Sequence, residues 1–227
     1  MLAVKAVLFD LDGTLVDSLP EIYEGVRRTA LEMGLTPPSQ QQVGDMIGRG
    51  PGVLVDRVCV VLGLDENGRK TFMSGLVKNW SESGGRMITL FPGVLDGLLT
   101  LRAKGIKTAL VTNKLRSLTV EFLEDRDMTA LFDTVVAGDD CERNKPAPDM
   151  LIRALNELGV SPAEAVMVGD SRNDALAARA AGVTAALVET GYNEGVGIDE
   201  WAREAGFTKI YPGAAKVCEL IAGSGRL

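Results

Sequence analysis

The sequence predicts an α/β fold with a doubly wound parallel sheet, into which an all-helical segment is inserted. From residue 91 onward, short apolar runs typical of buried strands alternate with segments of helical periodicity, and the connections between them are short. Residues 17–89, by contrast, show helical patterns alone. We therefore predict one domain formed by residues 1–16 and 90–227, and a second, helical domain formed by residues 17–89.

The first predicted elements are a buried strand over Val4 to Phe9 and a helix that follows it. Ser18 and Glu21 have the spacing of a capping box, which would start this helix at Ser18. Apolar residues then recur at intervals of three and four, as on the buried face of a helix. Gly34 suits the end of this helix.

Two further helices are predicted over residues 53–64 and 66–83, although the valines of the first would also suit a strand. The glycine-rich stretch Gly48-Arg49-Gly50-Pro51-Gly52 precedes them. Its spacing differs from that of a dinucleotide-binding loop, and no strand comes before it. We therefore do not expect a Rossmann phosphate loop at this point.

The second half of the chain repeats strand and helix in a regular order. The predicted strands cover residues 107–111, 134–137, 165–168 and 183–188. The predicted helices cover residues 94–104 and 115–125, two more end at Gly159 and Gly182, and a weaker strand and helix follow Gly206.

The composition restricts the chemistry that is possible. The chain has no histidine, which excludes a Ser-His-Asp triad, a Cys-His pair and most zinc sites. The net charge of −7 makes nucleic acid and anionic membranes unsuitable partners. The three cysteines are widely spaced, and no apolar run has the length of a membrane span or of a signal peptide. We expect a cytoplasmic protein that uses carboxylates, lysines, hydroxyls and a hard metal ion.

Polar side chains follow four of the predicted strands. Asp10, Thr112 and Asp170 come at or just beyond strand ends, and Lys145 lies in a loop after another strand. Because parallel strands present their carboxyl ends at one edge of the sheet, we expect these side chains to converge. Asp174, four residues past Asp170, would lie over the same face if the helix has begun by that point. Taken singly, Thr112 could be a helix cap, Lys145 a solvated lysine and Asp174 an acid favoured by the helix dipole.

Asp10 and Asp12 place two carboxylates close together, which requires a cation or a raised pKa. Asp12-Gly13 alone would also suit a hairpin turn. A calcium-binding loop fails, because Leu15 stands where such a loop requires glycine. Convergence with the other strand ends favours Asp10 as a nucleophile and Asp12 as its acid/base partner around a metal ion.

Four motifs carry a resemblance to a known family. Asp10-Leu11-Asp12-Gly13-Thr14, Thr112-Asn113, Lys145-Pro146 and Gly169-Asp170-Ser171-Arg172-Asn173-Asp174 resemble, in order and context, the motifs of haloacid dehalogenase (HAD)-superfamily phosphatases. The predicted sheet is similar to the Rossmann-like core of that superfamily, and the helical insertion is similar to its cap domain.

A finer resemblance is to the phosphoglycolate phosphatase branch of the superfamily. Ile47-Gly48-Arg49-Gly50, Val111-Thr112-Asn113-Lys114 and Gly191-Tyr192-Asn193 are similar to that branch, although related sugar-phosphate phosphatases share much of this pattern. The chain departs from the branch at Leu115, where a proline is expected.

The resemblance implies a role for each matched residue. Asp10 would attack phosphorus to form an aspartyl phosphate, and Asp12 would protonate the departing alkoxide and later deprotonate the attacking water. Asp10, Asp170 and the backbone carbonyl of Asp12 would hold Mg²⁺. Lys145 would neutralise negative charge, and Asp174 would orient Lys145 or a metal-bound water. The phosphoryl oxygens would be held by Gly13, Thr112, Asn113 and Lys145.

Arg49 is a further candidate, because a guanidinium on a glycine-flanked loop could bind a substrate carboxylate; a solvated loop arginine is the ordinary alternative. The implied partner is a small phosphorylated metabolite, with 2-phosphoglycolate as the first candidate, and the protein would be a monomer or homodimer. A sugar-phosphate phosphatase or a phosphomutase remains an alternative. A signalling receiver domain would be shorter and would have no helical insertion, and a dehalogenase would lack the second aspartate.

Overall fold

The computed structural model describes residues 3–227, and these contain a six-stranded sheet and a two-stranded ribbon. The strands are β1 (Ala6–Phe9), β2 (Val16–Asp17), β3 (Thr89–Leu90), β4 (Lys107–Val111), β5 (Thr134–Val136), β6 (Ala165–Gly169), β7 (Thr184–Val188) and β8 (Ile210–Tyr211). The helices are α1 (Leu19–Glu32), α2 (Gln40–Gly44), α3 (Gly50–Leu62), α4 (Glu66–Ser83), α5 (Val94–Ala103), α6 (Arg116–Glu124), α7 (Asp149–Leu158), α8 (Arg172–Ala181), α9 (Ile198–Glu204) and α10 (Ala214–Ser224).

The large sheet has the order β5-β4-β1-β6-β7-β8, and every neighbouring pair of strands is parallel. Strand β1 lies at its centre, where Phe9 pairs with Leu110 of β4 on one side and Val168 of β6 on the other. The three central strands therefore end at nearly the same level. The residues that follow them emerge together at one edge of the sheet, which is the position expected for a ligand site.

Helices cover both faces of this sheet, which confirms the predicted doubly wound fold. On β1, Val7 and Phe9 face one apolar cluster, which includes residues of α5 and α10. Ala6 and Leu8 face a second cluster, which includes residues of α7 and α8. Because side chains alternate along a strand, burial on both faces requires the continuous apolar run that the sequence shows at this point.

Helices α1 to α4 share a separate apolar cluster, which includes Ile22, Val26, Val58, Phe72 and Leu76. We propose that they form the predicted helical domain. The prediction of helices alone over residues 17–89 is wrong at both ends of that segment, since β2 and β3 pair there as an antiparallel ribbon. Each of these strands has only two residues, which is too short for an alternating pattern to appear in the sequence.

The predicted capping box at the start of α1 is also wrong. The Ser18 hydroxyl is buried without a hydrogen-bond partner, and the Glu21 carboxylate accepts instead from the backbone N–H of Met87 at 3.1 Å. The hydroxyl of Tyr192 accepts from the N–H groups of Ser18 and Leu19, both at 3.0 Å. A side chain from a distant loop therefore caps the helix, which local spacing could not show.

Most other predicted elements lie within a few residues of the observed ones, but α9 and the short helix α2 were not predicted. Within the described part of the chain, no helix combines the length and the apolar character that a membrane crossing requires.

Candidate active site

The predicted convergence of carboxylates occurs at the carboxyl edge of the sheet. Asp10 follows β1, Asp170 follows β6, and Asp174 lies in the first turn of α8. Each of the three offers a carboxylate oxygen, and these oxygens lie within 4.8 Å of one another. Three negative groups this close together, at a largely buried position, require positive charge nearby.

Lys145 supplies one such charge. Its ammonium group lies 2.6 Å from Asp174 and 3.0 Å from Asp10, and it donates a hydrogen bond to the backbone carbonyl of Val111 at 2.7 Å. The Lys145 side chain is only 1% exposed, so its charge is directed entirely at these groups. The contact between Asp174 and Lys145 is compatible with one of the two roles that the resemblance implies for Asp174, the orientation of Lys145.

Burial and the neighbouring charges shift the pKa values of the clustered side chains. Burial raises the pKa of Asp10 to about 6, although Lys145 counteracts the effect. Burial also raises the pKa of Asp170 well above its ordinary value, and the charges of Asp174 and Asp10 add to this shift. For Lys145, burial favours the neutral amine, but Asp10 and Asp174 outweigh it and the pKa is raised. The cluster thus holds more negative charge than one lysine can neutralise.

Asp170 is held by two hydrogen bonds and packs so closely against two glycines that neither could be replaced by a larger residue without a clash. Its two carboxylate oxygens accept hydrogen bonds from the Thr14 hydroxyl at 2.8 Å and from the Tyr192 N–H at 3.0 Å. A Cβ added to Gly191 would lie 1.8 Å from an Asp170 oxygen, and one added to Gly13 would lie 2.5 Å from it. Gly13 also has a φ of +87°, which favours glycine.

The donors present fit a divalent metal ion. One oxygen of Asp10 is buried and accepts no hydrogen bond, although it lies near the Lys145 ammonium group. Carboxylate oxygens are ligands that Mg²⁺ accepts, and a cation would balance the excess negative charge. The Asp10, Asp170 and Asp174 cluster can therefore hold a metal.

Asp12 has a partner that the sequence did not predict. The Lys114 ammonium group lies 3.2 and 3.3 Å from the two oxygens of the Asp12 carboxylate. No local spacing in the sequence links the two residues, because 102 positions separate them.

Thr112 and Asn113 lie beside this pair. Thr112 is buried, and its hydroxyl accepts a hydrogen bond from the N–H of Lys114 at 3.3 Å. The amide group of Asn113 donates to the carbonyl oxygens of Lys145 and Gly48, at 3.0 and 3.2 Å, and accepts from the Lys145 N–H at 3.1 Å. Asn113 therefore joins the Lys145 loop to the segment that precedes α3.

Arg49 lies apart from the carboxylate cluster. Its side chain is 44% exposed, and its guanidinium is 3.9 Å from Glu194. Glu194 also accepts hydrogen bonds from Arg57 at 2.8 Å and Asn173 at 3.3 Å, which offset the effect of burial and lower its pKa. Sequence reasoning missed Glu194, since its partners come from two distant segments of the chain.

A cleft opens between the sheet edge and the helical segment. It encloses about 540 Å³ of space not filled by atoms, part of it open to solvent. Asp10, Asp12, Thr112 and Lys114 line its floor, while apolar residues of α1, α3 and α4 line the opposite side, among them Ile22, Leu54 and Trp80. A small polar molecule could therefore meet the carboxylates below an apolar roof that excludes water.

Known proteins are similar in sequence to this chain over most of its length. The family model for haloacid dehalogenase-like hydrolases matches residues 7–188. A phosphoglycolate phosphatase of Cupriavidus necator is 40% identical over 192 residues, which are 84% of this chain and 83% of that protein. Phosphoglycolate phosphatase 1 of Pseudomonas aeruginosa is 35% identical over 202 residues, which are 87% of this chain and 74% of that protein.

The fold is also similar to that of a solved structure. The crystal structure of a predicted phosphoglycolate phosphatase from Haemophilus somnus superimposes with a TM-score of 0.88 at 29% identity, covering 97% of this chain and 99% of the other. Together with the sheet order and the carboxylate cluster, these matches show that the chain belongs to the haloacid dehalogenase-like hydrolase family.

Proposed function

We propose that the protein is a Mg²⁺-dependent phosphomonoester hydrolase that acts on 2-phosphoglycolate through an aspartyl phosphate on Asp10. The observation that carries this proposal is the buried cluster of Asp10, Asp170 and Asp174 around Lys145, at the floor of a cleft. The substrate is suggested by two relatives named phosphoglycolate phosphatase, which are 40% and 35% identical to this chain.

Asp10, Asp170 and the backbone carbonyl of Asp12 would hold Mg²⁺. When bound, the ion would reduce the repulsion between the anionic phosphate and the Asp10 carboxylate. Asp174 lies close enough to contribute, but both of its oxygens already have partners, Lys145 on one side and Ser171 on the other. We therefore assign Asp174 chiefly to the positioning of Lys145.

Asp10 would act as the nucleophile. One of its oxygens forms a bond to phosphorus while the bond from phosphorus to the alkoxide oxygen breaks. Lys145, held 3.0 Å from Asp10, would offset the negative charge that gathers on the phosphoryl oxygens. The Thr112 hydroxyl would bind those oxygens. The N–H of Gly13, expected to share this role, already donates to the Val16 carbonyl at 2.8 Å. Asn113 would keep the Lys145 loop in place through its two hydrogen bonds to the Lys145 backbone.

Asp12 would move the protons. It gives a proton to the departing alkoxide in the first step, and it takes one from water in the second. The water oxygen then forms a bond to phosphorus as the bond from phosphorus to Asp10 breaks, which releases inorganic phosphate. Asp12 lines the cleft and is part-buried, so its carboxylate can reach a leaving group bound there.

The helical segment of residues 17–89 would act as a cap. Its contribution to the cleft is apolar, so it would exclude water and limit the size of the leaving group. The cap would not supply the chemistry, which lies on the sheet edge.

The test is a phosphate-release assay with 2-phosphoglycolate, ethyl phosphate and a hexose phosphate, each with Mg²⁺ and with EDTA. We expect the highest kcat/KM with 2-phosphoglycolate, loss of activity in EDTA and recovery when Mg²⁺ is restored. The exposed Asp125→Asn is the control for substitution of an aspartate far from the site. Undiminished turnover in EDTA would disprove the metal requirement, and isomerised product without free phosphate would identify a phosphomutase.

A further inference from the structure

We propose that Lys114 binds the carboxylate of the substrate and thereby selects acidic phosphate esters. This inference rests on the proposed function and adds a specificity-determining residue to it. It follows from two observations: Lys114 pairs with Asp12, the proposed acid/base residue, and it lines the cleft together with the apolar residues of the cap.

The first step of the reasoning concerns the charges that line the cleft. Among the described residues, its lining includes two carboxylates, Asp10 and Asp12, and a single cationic side chain, Lys114. Lys145 lies beneath, between Asp10 and Asp174, so it is committed to the phosphoryl end of the site. A second negative group on the substrate can therefore be matched only by Lys114.

The second step concerns distance. The Lys114 ammonium group is 3.2 Å from one Asp12 oxygen and 3.3 Å from the other. Asp12 must lie within hydrogen-bond distance of the leaving-group oxygen, about 2.7 Å, to give it a proton. The leaving group therefore lies beside Lys114. In 2-phosphoglycolate the carboxylate is one methylene away from that oxygen, which places it within reach of the same ammonium group.

The third step concerns how Lys114 is held. Its backbone is fixed by two hydrogen bonds, from its N–H to the Thr112 hydroxyl at 3.3 Å and from the Gly138 N–H to its carbonyl at 2.7 Å. Its side chain is 13% exposed. Because the Lys114 backbone is fixed and its side chain is flexible, the ammonium group can move from Asp12 to a substrate carboxylate while the loop stays folded. Asp12 is then free to serve the leaving group.

Arg49, the residue that the sequence suggested for this task, has a weaker position. It does not line the cleft in the described structure, and its nearest carboxylate is Glu194 at 3.9 Å. The apolar cap residues Ile22, Leu54 and Trp80 offer no positive charge to the substrate. Recognition of the carboxylate therefore falls to the sheet domain.

The experiment compares kcat/KM for 2-phosphoglycolate and for ethyl phosphate, which has the same two-carbon leaving group without the carboxylate. In Lys114→Met we expect kcat/KM for 2-phosphoglycolate to fall by about 100-fold more than kcat/KM for ethyl phosphate, since the loss of the contact with Asp12 affects both esters. Lys114→Arg should keep most of the preference, because a guanidinium also binds carboxylates. Lys104→Met, at the exposed residue that directly follows α5, serves as the matched control.

The outcomes separate this inference from the proposed function. If the wild type prefers 2-phosphoglycolate but kcat/KM of Lys114→Met falls by the same factor for both esters, the inference is wrong and Lys114 acts on Asp12 alone. If the wild type hydrolyses both esters equally well, the proposed substrate itself is wrong. The wild type offers a second test that does not depend on a variant folding: glycolate should inhibit competitively and ethylene glycol should not. Equal inhibition by the two would overturn the inference.

Discussion

Asp170→Asn should make the metal-free protein more stable, even though it removes a residue of the active site. The amide fits the existing contacts, because its oxygen can accept from the Tyr192 N–H and its NH₂ can donate to the Thr14 oxygen. The substitution therefore removes a buried negative charge without leaving a hydrogen-bonding group unpaired.

The magnitude follows from the charges that face Asp170. Two carboxylates and one ammonium group lie in the cluster, which leaves a net charge of about −1. A unit charge about 5 Å away costs on the order of 3 kcal/mol at an effective dielectric constant of about 20. Relaxation and water reduce this cost, so we expect a gain of about 1–3 kcal/mol. Asp170 could instead avoid the repulsion by binding a proton, since its pKa is raised. Protonation at neutral pH costs a comparable amount of folding free energy, and asparagine avoids that cost too.

The assay is thermal unfolding at neutral pH in EDTA and in saturating Mg²⁺. For a chain of this size, the expected gain corresponds to a rise in Tm of about 2–12 °C in EDTA. Mg²⁺ should raise the Tm of the wild type but have little effect on Asp170→Asn, because the substitution removes a proposed ligand. Asp125→Asn should follow the wild type in both buffers. A lower Tm for metal-free Asp170→Asn, or an unchanged response to Mg²⁺, would refute the reasoning.

Two further predictions concern the same cluster. Gly191→Ala should weaken Mg²⁺ binding by about 10- to 100-fold in a thermal-shift titration, because the new Cβ would lie 1.8 Å from an Asp170 oxygen; Gly223→Ala, which meets no atom within 4 Å, should bind as the wild type does. The Tm of the metal-free protein should fall as the pH rises from about 4 to about 6, because burial raises the pKa of Asp10 from 3.8 to about 6 and the folded state therefore holds a proton that the unfolded chain has already lost. Asp10→Asn should reduce that fall, and an identical pH profile in both proteins would contradict the assignment.

The sequence predicted the sheet and the position of the acidic cluster because both depend on local patterns. An apolar run that stops at a carboxylate marks a strand end, and strands β1, β4 and β6 end level with one another. Asp170 and Asp174 do belong to one cluster. A shared helix face is not the reason, because α8 begins at Arg172 and Asp170 precedes the helix.

Contacts between distant segments could not be predicted in this way. Tyr192 caps α1 across 174 positions of sequence, and Lys114 meets Asp12 across 102. No short sequence spacing predicts either of these two contacts. The ribbon of β2 and β3 was missed for the same reason, since each strand is too short to show a period and its partner is more than 70 residues away.

The most direct test of the proposed mechanism is to find the phosphoryl group on the chain during turnover. The enzyme is mixed with 2-phosphoglycolate and Mg²⁺, quenched in acid and digested, and the peptides are analysed by mass spectrometry. We expect the peptide that contains Asp10 to gain the mass of one phosphoryl group, the label to disappear once the substrate is consumed, and Asp10→Asn to remain unlabelled. A label on another residue, or wild-type phosphate release by Asp10→Asn, would contradict the assignment of Asp10 as the nucleophile.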